Sequence, residues 1–120
     1  MKALVRFAVT AGFLAASACM AYGASIQGYL VDKACGAKMA TSNDQKAAAG
    51  HTRQCALMPN CVGSGFGVLT ADGKFVTLDA AGNTKAEAAL KASKKTDNIK
   101  VEVTGDQTGE SMKVTTIKIL

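Results

Sequence analysis

Alternation of apolar and polar positions dominates the chain, and one helical repeat interrupts it. Ile26-Gln27-Gly28-Tyr29-Leu30-Val31-Asp32 is a β-prone run whose Gly28 marks a bend or bulge. After a long polar and Ala-rich stretch, Gly67-Val68-Leu69-Thr70 and Lys74-Phe75-Val76-Thr77-Leu78 flank Ala71-Asp72-Gly73, and Asp-Gly between β-prone runs predicts a hairpin. Asn83 to Lys95 reads as a helix, with Thr84 and Glu87 as a capping box, lysines in its last turn, and Ala86, Ala89 and Leu90 on its buried face. Ile99, Val101 and Val103 then share one face of a strand, and Gly105 to Gly109 is a turn or loop. The last run carries Met112 and Val114 in register, breaks at Thr115-Thr116 and resumes with Ile117 and Ile119, as a bulged strand would.

The order strand, long loop, strand, strand, helix, strand, strand is that of a small five-stranded OB-fold-like barrel, mostly β with one helix. An open α+β sheet with one covering helix is the competing architecture. The long loop between the first two strands is polar. Thr41 to Ala49 offers one or two helical turns capped by Thr41, Ser42 or Asn43, and Thr52 to Met58 one more, stopped by Pro59.

The amino terminus changes what the rest of the composition means. Lys2 and Arg6 precede an apolar run from Phe7 to Ala18, and small residues follow, which is the pattern of a secretory signal over residues 1–23. The run is short for a membrane span. A single domain over residues 24–120 is left, exported to the periplasm or beyond, with no transmembrane segment of its own. Ala16-Ser17-Ala18-Cys19 is a weaker pattern for a lipidated Cys19, because a lipobox wants a larger aliphatic residue where Ala16 stands. Without Lys2 and Arg6 the domain has twelve basic and nine acidic residues, a net charge of +3. That balance, with Tyr29, Phe66 and Phe75 as the only aromatic residues past the leader, excludes a nucleic-acid surface.

Candidate chemistry is concentrated in the long loop, which holds Cys35, His51, Cys55 and Cys61. The quoted residues resemble a family of small exported bacterial proteins. Its pattern runs Gly-x-Leu/Val-Val-Asp-x-x-Cys, here Gly28 to Cys35; His-Thr-Arg-x-Cys-Ala-Leu, here His51 to Leu57; then Pro-x-Cys and Ser-Gly-Phe/Tyr-Gly-Val, here Pro59 to Cys61 and Ser64 to Val68. The resemblance covers nearly the whole domain. It implies export and an OB-like barrel, and brings no substrate, cofactor or reaction.

The cluster has three readings. In the first, Cys35 pairs with Cys61, or with Cys55, in a disulfide that pins the loop of a binding or structural module for an unidentified small ligand or protein, with no cofactor. Chain entropy does not choose between partners, since loops of about 7 to 27 residues differ by only about 1 kcal/mol. Antiparallel pairing of the flanking strands favours Cys35 with Cys61. In the second, Cys35, His51, Cys55 and Cys61 hold zinc, or copper if Met39 or Met58 joins them. His51 and Cys55 are four apart and share a face if their segment is helical. In the third, Cys55 and His51 form a thiolate and base, with Asp32 orienting the histidine if the fold brings them together. No Cys-x-x-Cys signature supports this enzyme reading. Gly63-Ser64-Gly65-Phe66-Gly67 lacks the ending of a phosphate-binding loop and serves the turn into the second strand.

Overall fold

A computed structural model describes residues 24–120. The leader over residues 1–23 and the reading of Cys19 as a lipid anchor lie outside the described residues. In chain order the elements are β1 (Ala24–Asp32), α1 (Lys33–Thr41), α2 (Gln45–Gly50), α3 (Arg53–Ala56), α4 (Pro59–Ser64), β2 (Phe66–Thr70), β3 (Phe75–Leu78), α5 (Ala80–Ala92), β4 (Lys100–Thr108) and β5 (Ser111–Ile119).

Five strands pair in the closed order β1-β2-β3-β5-β4. All neighbours are antiparallel except β3 and β5, which meet in parallel at Thr77–Ser111 and Leu78–Met112. β1 spans two partners: Ala24 to Tyr29 face β4, and Gly28 to Asp32 face β2. A Cβ at Gly28, where the two pairings overlap, would stand 2.2 Å from the Leu69 carbonyl oxygen, so the strand turns the corner too closely for a side chain. The register between β4 and β5 slips after Thr104–Thr116, resuming at Gly105–Val114. Thr115 is the extra residue, at the break in the apolar alternation.

Alternation along the strands sends one set of side chains into the barrel and the other outward. Leu30, Phe66, Val68, Val76, Val101 and Val103 fill the interior with Ala86 and Leu90 of α5. Burying a side chain of this size contributes about 1.5–3 kcal/mol. A smaller cluster of Val31, Ala48, Leu69 and Phe75 lies on the outer face, where Cys35, Met39 and Ala40 of α1 pack against it. α1 can approach because Gly36 and Gly67 leave room for the Phe75 ring; a Cβ at either would come within 2.4 Å of it.

Five helices form where one was expected. The β1–β2 connection is a chain of four short helices, three with a side-chain cap: Asp32 accepts from Cys35 N, Asp44 from Ala47 N and Thr52 from Cys55 N. α4 begins with Pro59, whose missing N–H costs nothing at a first helical position. α5 starts earlier than its capping box implies. Asp79, directly after β3, accepts from Gly82 N at 2.9 Å and also from Val114 N of β5 at 3.2 Å. Thr84 is thereby inside the helix, its hydroxyl donating to the Ala80 carbonyl. β4 also runs through the expected loop as far as Thr108, leaving Gly109 and Glu110 as the turn.

Asp79→Ala is expected to destabilise the domain by about 2 kcal/mol, from loss of the cap and of the acceptor for Val114 N. Thr84→Ala should stay within about 0.5 kcal/mol, as a solvent-facing change does. Urea midpoints at unchanged m-value measure both; equal costs would restore the capping box as the helix start.

Candidate functional site

β1 delivers the central residue. Leu30 faces the interior and Val31 the outer cluster, so Asp32, the last residue of the strand, falls on the Leu30 side at the end of the barrel. It pairs with Phe66 and has no exposed surface. Its Oδ2 accepts from the Cys35 amide at 3.0 Å, which starts α1 and sets the Cys35 side chain in the first turn above it.

His51 arrives from the other side. It ends α2, its amide donating to the Ala48 carbonyl at 3.3 Å, and Nε2 comes to 2.9 Å from Asp32 Oδ1 with the ring side chain only 6% exposed. Neither atom makes a hydrogen bond, although the two stand at ion-pair distance. One donor atom each from Asp32, Cys35 and His51 lies within 4.8 Å of the other two.

The residues after His51 fix its position. Thr52 caps α3. The Arg53 amide donates to the Thr96 carbonyl at 2.8 Å, and its guanidinium donates to the carbonyls of Leu90 and Lys91 in the last turn of α5. Asn98 N donates to the Ala49 carbonyl at 2.7 Å just upstream. The His-Thr-Arg sequence therefore makes one contact to the barrel end, one helix cap and one bridge to α5.

Cys35, Cys55 and Cys61 are free thiols, the first and third half-buried and Cys55 exposed. Neither Cys35–Cys61 nor Cys35–Cys55 is bridged in this structure. The flanking strands β1 and β2 do pair antiparallel, and beyond their ends α1 contacts α4 and Lys33 N donates to the Gly65 carbonyl at 2.9 Å. Burial pushes the Cys35 thiol above its usual pKa, and the Asp32 charge adds to it. Cys61 is raised by burial, by Asp32 and then by Cys35. Protonated thiols are poor nucleophiles, so these two lack the activation a thiol enzyme needs.

The four-residue set Cys35, His51, Cys55 and Cys61 is thus divided. Cys35 and His51 converge; Cys55 and Cys61 fall outside the group of donors within 4.8 Å, and Asp32 takes a place in it. His51 and Cys55 do not share a helix face, because α2 ends at Gly50 and α3 begins at Arg53. From sequence Asp32 is a conditional orienter of His51, and the fold brings the two into contact. Its signal as a donor was an aspartate closing an apolar strand three residues before a cysteine, the spacing of a side-chain cap. Comparison of the chain with models of protein families, with curated proteins and with solved structures finds no match.

In reduced, metal-free protein at neutral pH, Cys55 should alkylate before Cys35 and Cys61. Asp32→Asn should accelerate the two slow thiols by removing the anion while keeping an oxygen that can cap α1. Peptide mass spectra taken over time measure the three rates; rates for Cys35 and Cys61 unmoved by Asp32→Asn would remove the carboxylate as their common neighbour.

Proposed function

We propose that the protein is an exported, OB-type barrel that binds one zinc-class divalent ion through Asp32, Cys35 and His51 where the β1–β2 segment closes the barrel end. The observation that carries this reading is the pair of buried, unpartnered atoms, Asp32 Oδ1 and His51 Nε2, at 2.9 Å beside a cysteine. Leaving such groups unsatisfied is costly, more so when one is charged. Donor atoms that each stand about 2.0–2.2 Å from a shared tetrahedral zinc ion are about 3.3–3.6 Å from one another, so a small separation of the two side chains would admit an ion between groups that no hydrogen bond joins. A cation would also offset the Asp32 charge and stabilise the Cys35 thiolate, whose ionisation the protein alone opposes.

The donor set selects the metal class. One carboxylate, one imidazole and one thiolate suit zinc, whereas Cu(I) favours several soft donors. Met58 is 53% exposed, which supports zinc over the copper alternative. Three protein donors leave a fourth position, as in open zinc sites. Strand order, with α5 between β3 and β4, supports the OB assignment, whose β1–β2 loop is a common ligand site. Export rests on the pattern of residues 1–23.

A second reading, a module for a small ligand or protein, is favoured by one feature. An open cleft of about 620 Å³ lies between Leu57, Met58 and Pro59 on one side and Lys94, Lys95 and Thr96 on the other.

Reduced, chelator-stripped protein is expected to take up one equivalent of zinc. Cobalt in its place should give a thiolate-to-metal charge-transfer band that Cys35→Ser abolishes. Asp32→Ala and His51→Ala should each weaken zinc binding by at least about tenfold, a lower bound taken from the loss of groups that merely support a ligand. Titration against a chromophoric chelator measures the affinities, and circular dichroism checks that each variant is folded. A folded, reduced wild type that takes up no metal, or a Cys35→Ser variant that binds as tightly, would overturn the reading.

A further inference from the structure

Cys35 occupies two arrangements at once. It is the sulfur of the Asp32, Cys35 and His51 group, and it stands on α1 against α4, the helix that carries Cys61. The start of α1 and the end of α4 are joined through Lys33 and Gly65, so the helices bearing these two thiols are anchored to the same corner of the barrel. Cys55, on α3 beside α4, is exposed where the other two are not.

We propose that the site is a redox-controlled metal binder in which oxidation of Cys35 with Cys61 removes the sulfur ligand and releases the ion. This rests on the metal reading and adds its regulation. The oxidant is a low-molecular-weight disulfide, RSSR. The exposed Cys55 thiolate attacks it, forming a Cys55–SR mixed disulfide and expelling one RS⁻. Cys61 displaces the second RS⁻ from Cys55, and Cys35 then takes Cys61 from Cys55, which returns as a thiol. From the zinc-loaded state the net change is the Cys35 thiolate and the Cys61 thiol oxidised to one disulfide and one RSSR reduced to RSH and RS⁻, the Cys61 proton going to RSH and the ion leaving as Zn²⁺. Cys35 in the bridge no longer offers a thiolate, and Asp32 with His51 alone makes a two-donor site.

The structure also assigns different roles to the three cysteines, which makes the inference separable. Cys35 belongs to both states, Cys61 only to the oxidised one, and Cys55 to neither end state but to the entry path. A structural disulfide with no metal would give Cys35 one role, and a permanent zinc site would give Cys61 none.

The test uses the full domain, reduced and loaded with one zinc ion, mixed with oxidised glutathione in the presence of a zinc indicator. Bound zinc before the oxidant tests the metal reading; release after it tests the switch. Zinc is expected to leave in step with a two-proton mass loss mapped to Cys35–Cys61, and dithiothreitol should restore binding. Cys61→Ser should bind zinc when reduced and retain it under oxidant, and Cys55→Ser should slow release at least tenfold. Zinc retained after the Cys35–Cys61 bridge has formed, or lost from Cys61→Ser as fast as from wild type, would overturn the switch while leaving metal binding standing. A reduced protein that takes up no zinc would remove both.

Discussion

A carboxylate with no exposed surface has to be answered by whatever the chain brings to it, and the β1–β2 segment is arranged around that requirement. Asp32 uses one oxygen to begin α1 and presents the other to His51. An uncompensated charge in that position would cost several kcal/mol. The segment therefore cannot move freely without exposing Asp32 or losing its bond from the Cys35 amide, even though α2, α3 and α4 are each six residues or fewer. Helices of that length have no stability of their own in water. They persist because Asp44 and Thr52 cap two of them, Arg53 ties one to α5, and the Asp32–His51 contact holds the array against the barrel.

The fold was readable in the sequence where the pattern is local. Period-two alternation located the strands, Asp72-Gly73 located the hairpin, and the break at Thr115-Thr116 located the bulge, since each depends on which side a residue faces. Within the β1–β2 segment the turns that became α2 and α3 were readable, but α1 and α4 were not, because most apolar positions there are alanines too small to give a periodic signal and the segment's stability comes from distant partners. α5 was misplaced at its start for a related reason. Thr84 and Glu87 satisfy a local rule, but Asp79 gains a second bond, from Val114, that only the folded barrel supplies.

The candidate site shows the same division between local and distant signals. Cys35, His51, Cys55 and Cys61 stand out by residue type, and the sequence contains all the donors. Their grouping depends on where β1 ends and where α2 stops, and the condition under which spacing puts His51 and Cys55 on one helix face is not met. Arg53, in the middle of the motif, has no chemical role in the cluster; its guanidinium holds the end of α5 in place and thereby the histidine two residues earlier.

The site and the barrel differ in how far along the chain they reach. Asp32, Cys35 and His51 all lie in the first third of the domain, whereas closing the barrel joins β1 to β4, where Gln27 meets Glu102 across 75 residues. Ring closure over short separations is the cheaper and faster event. An ion captured by the segment would fix the end of β1 before its carboxy-terminal partners are paired, and so act as a template for assembly in a chain that emerges amino end first.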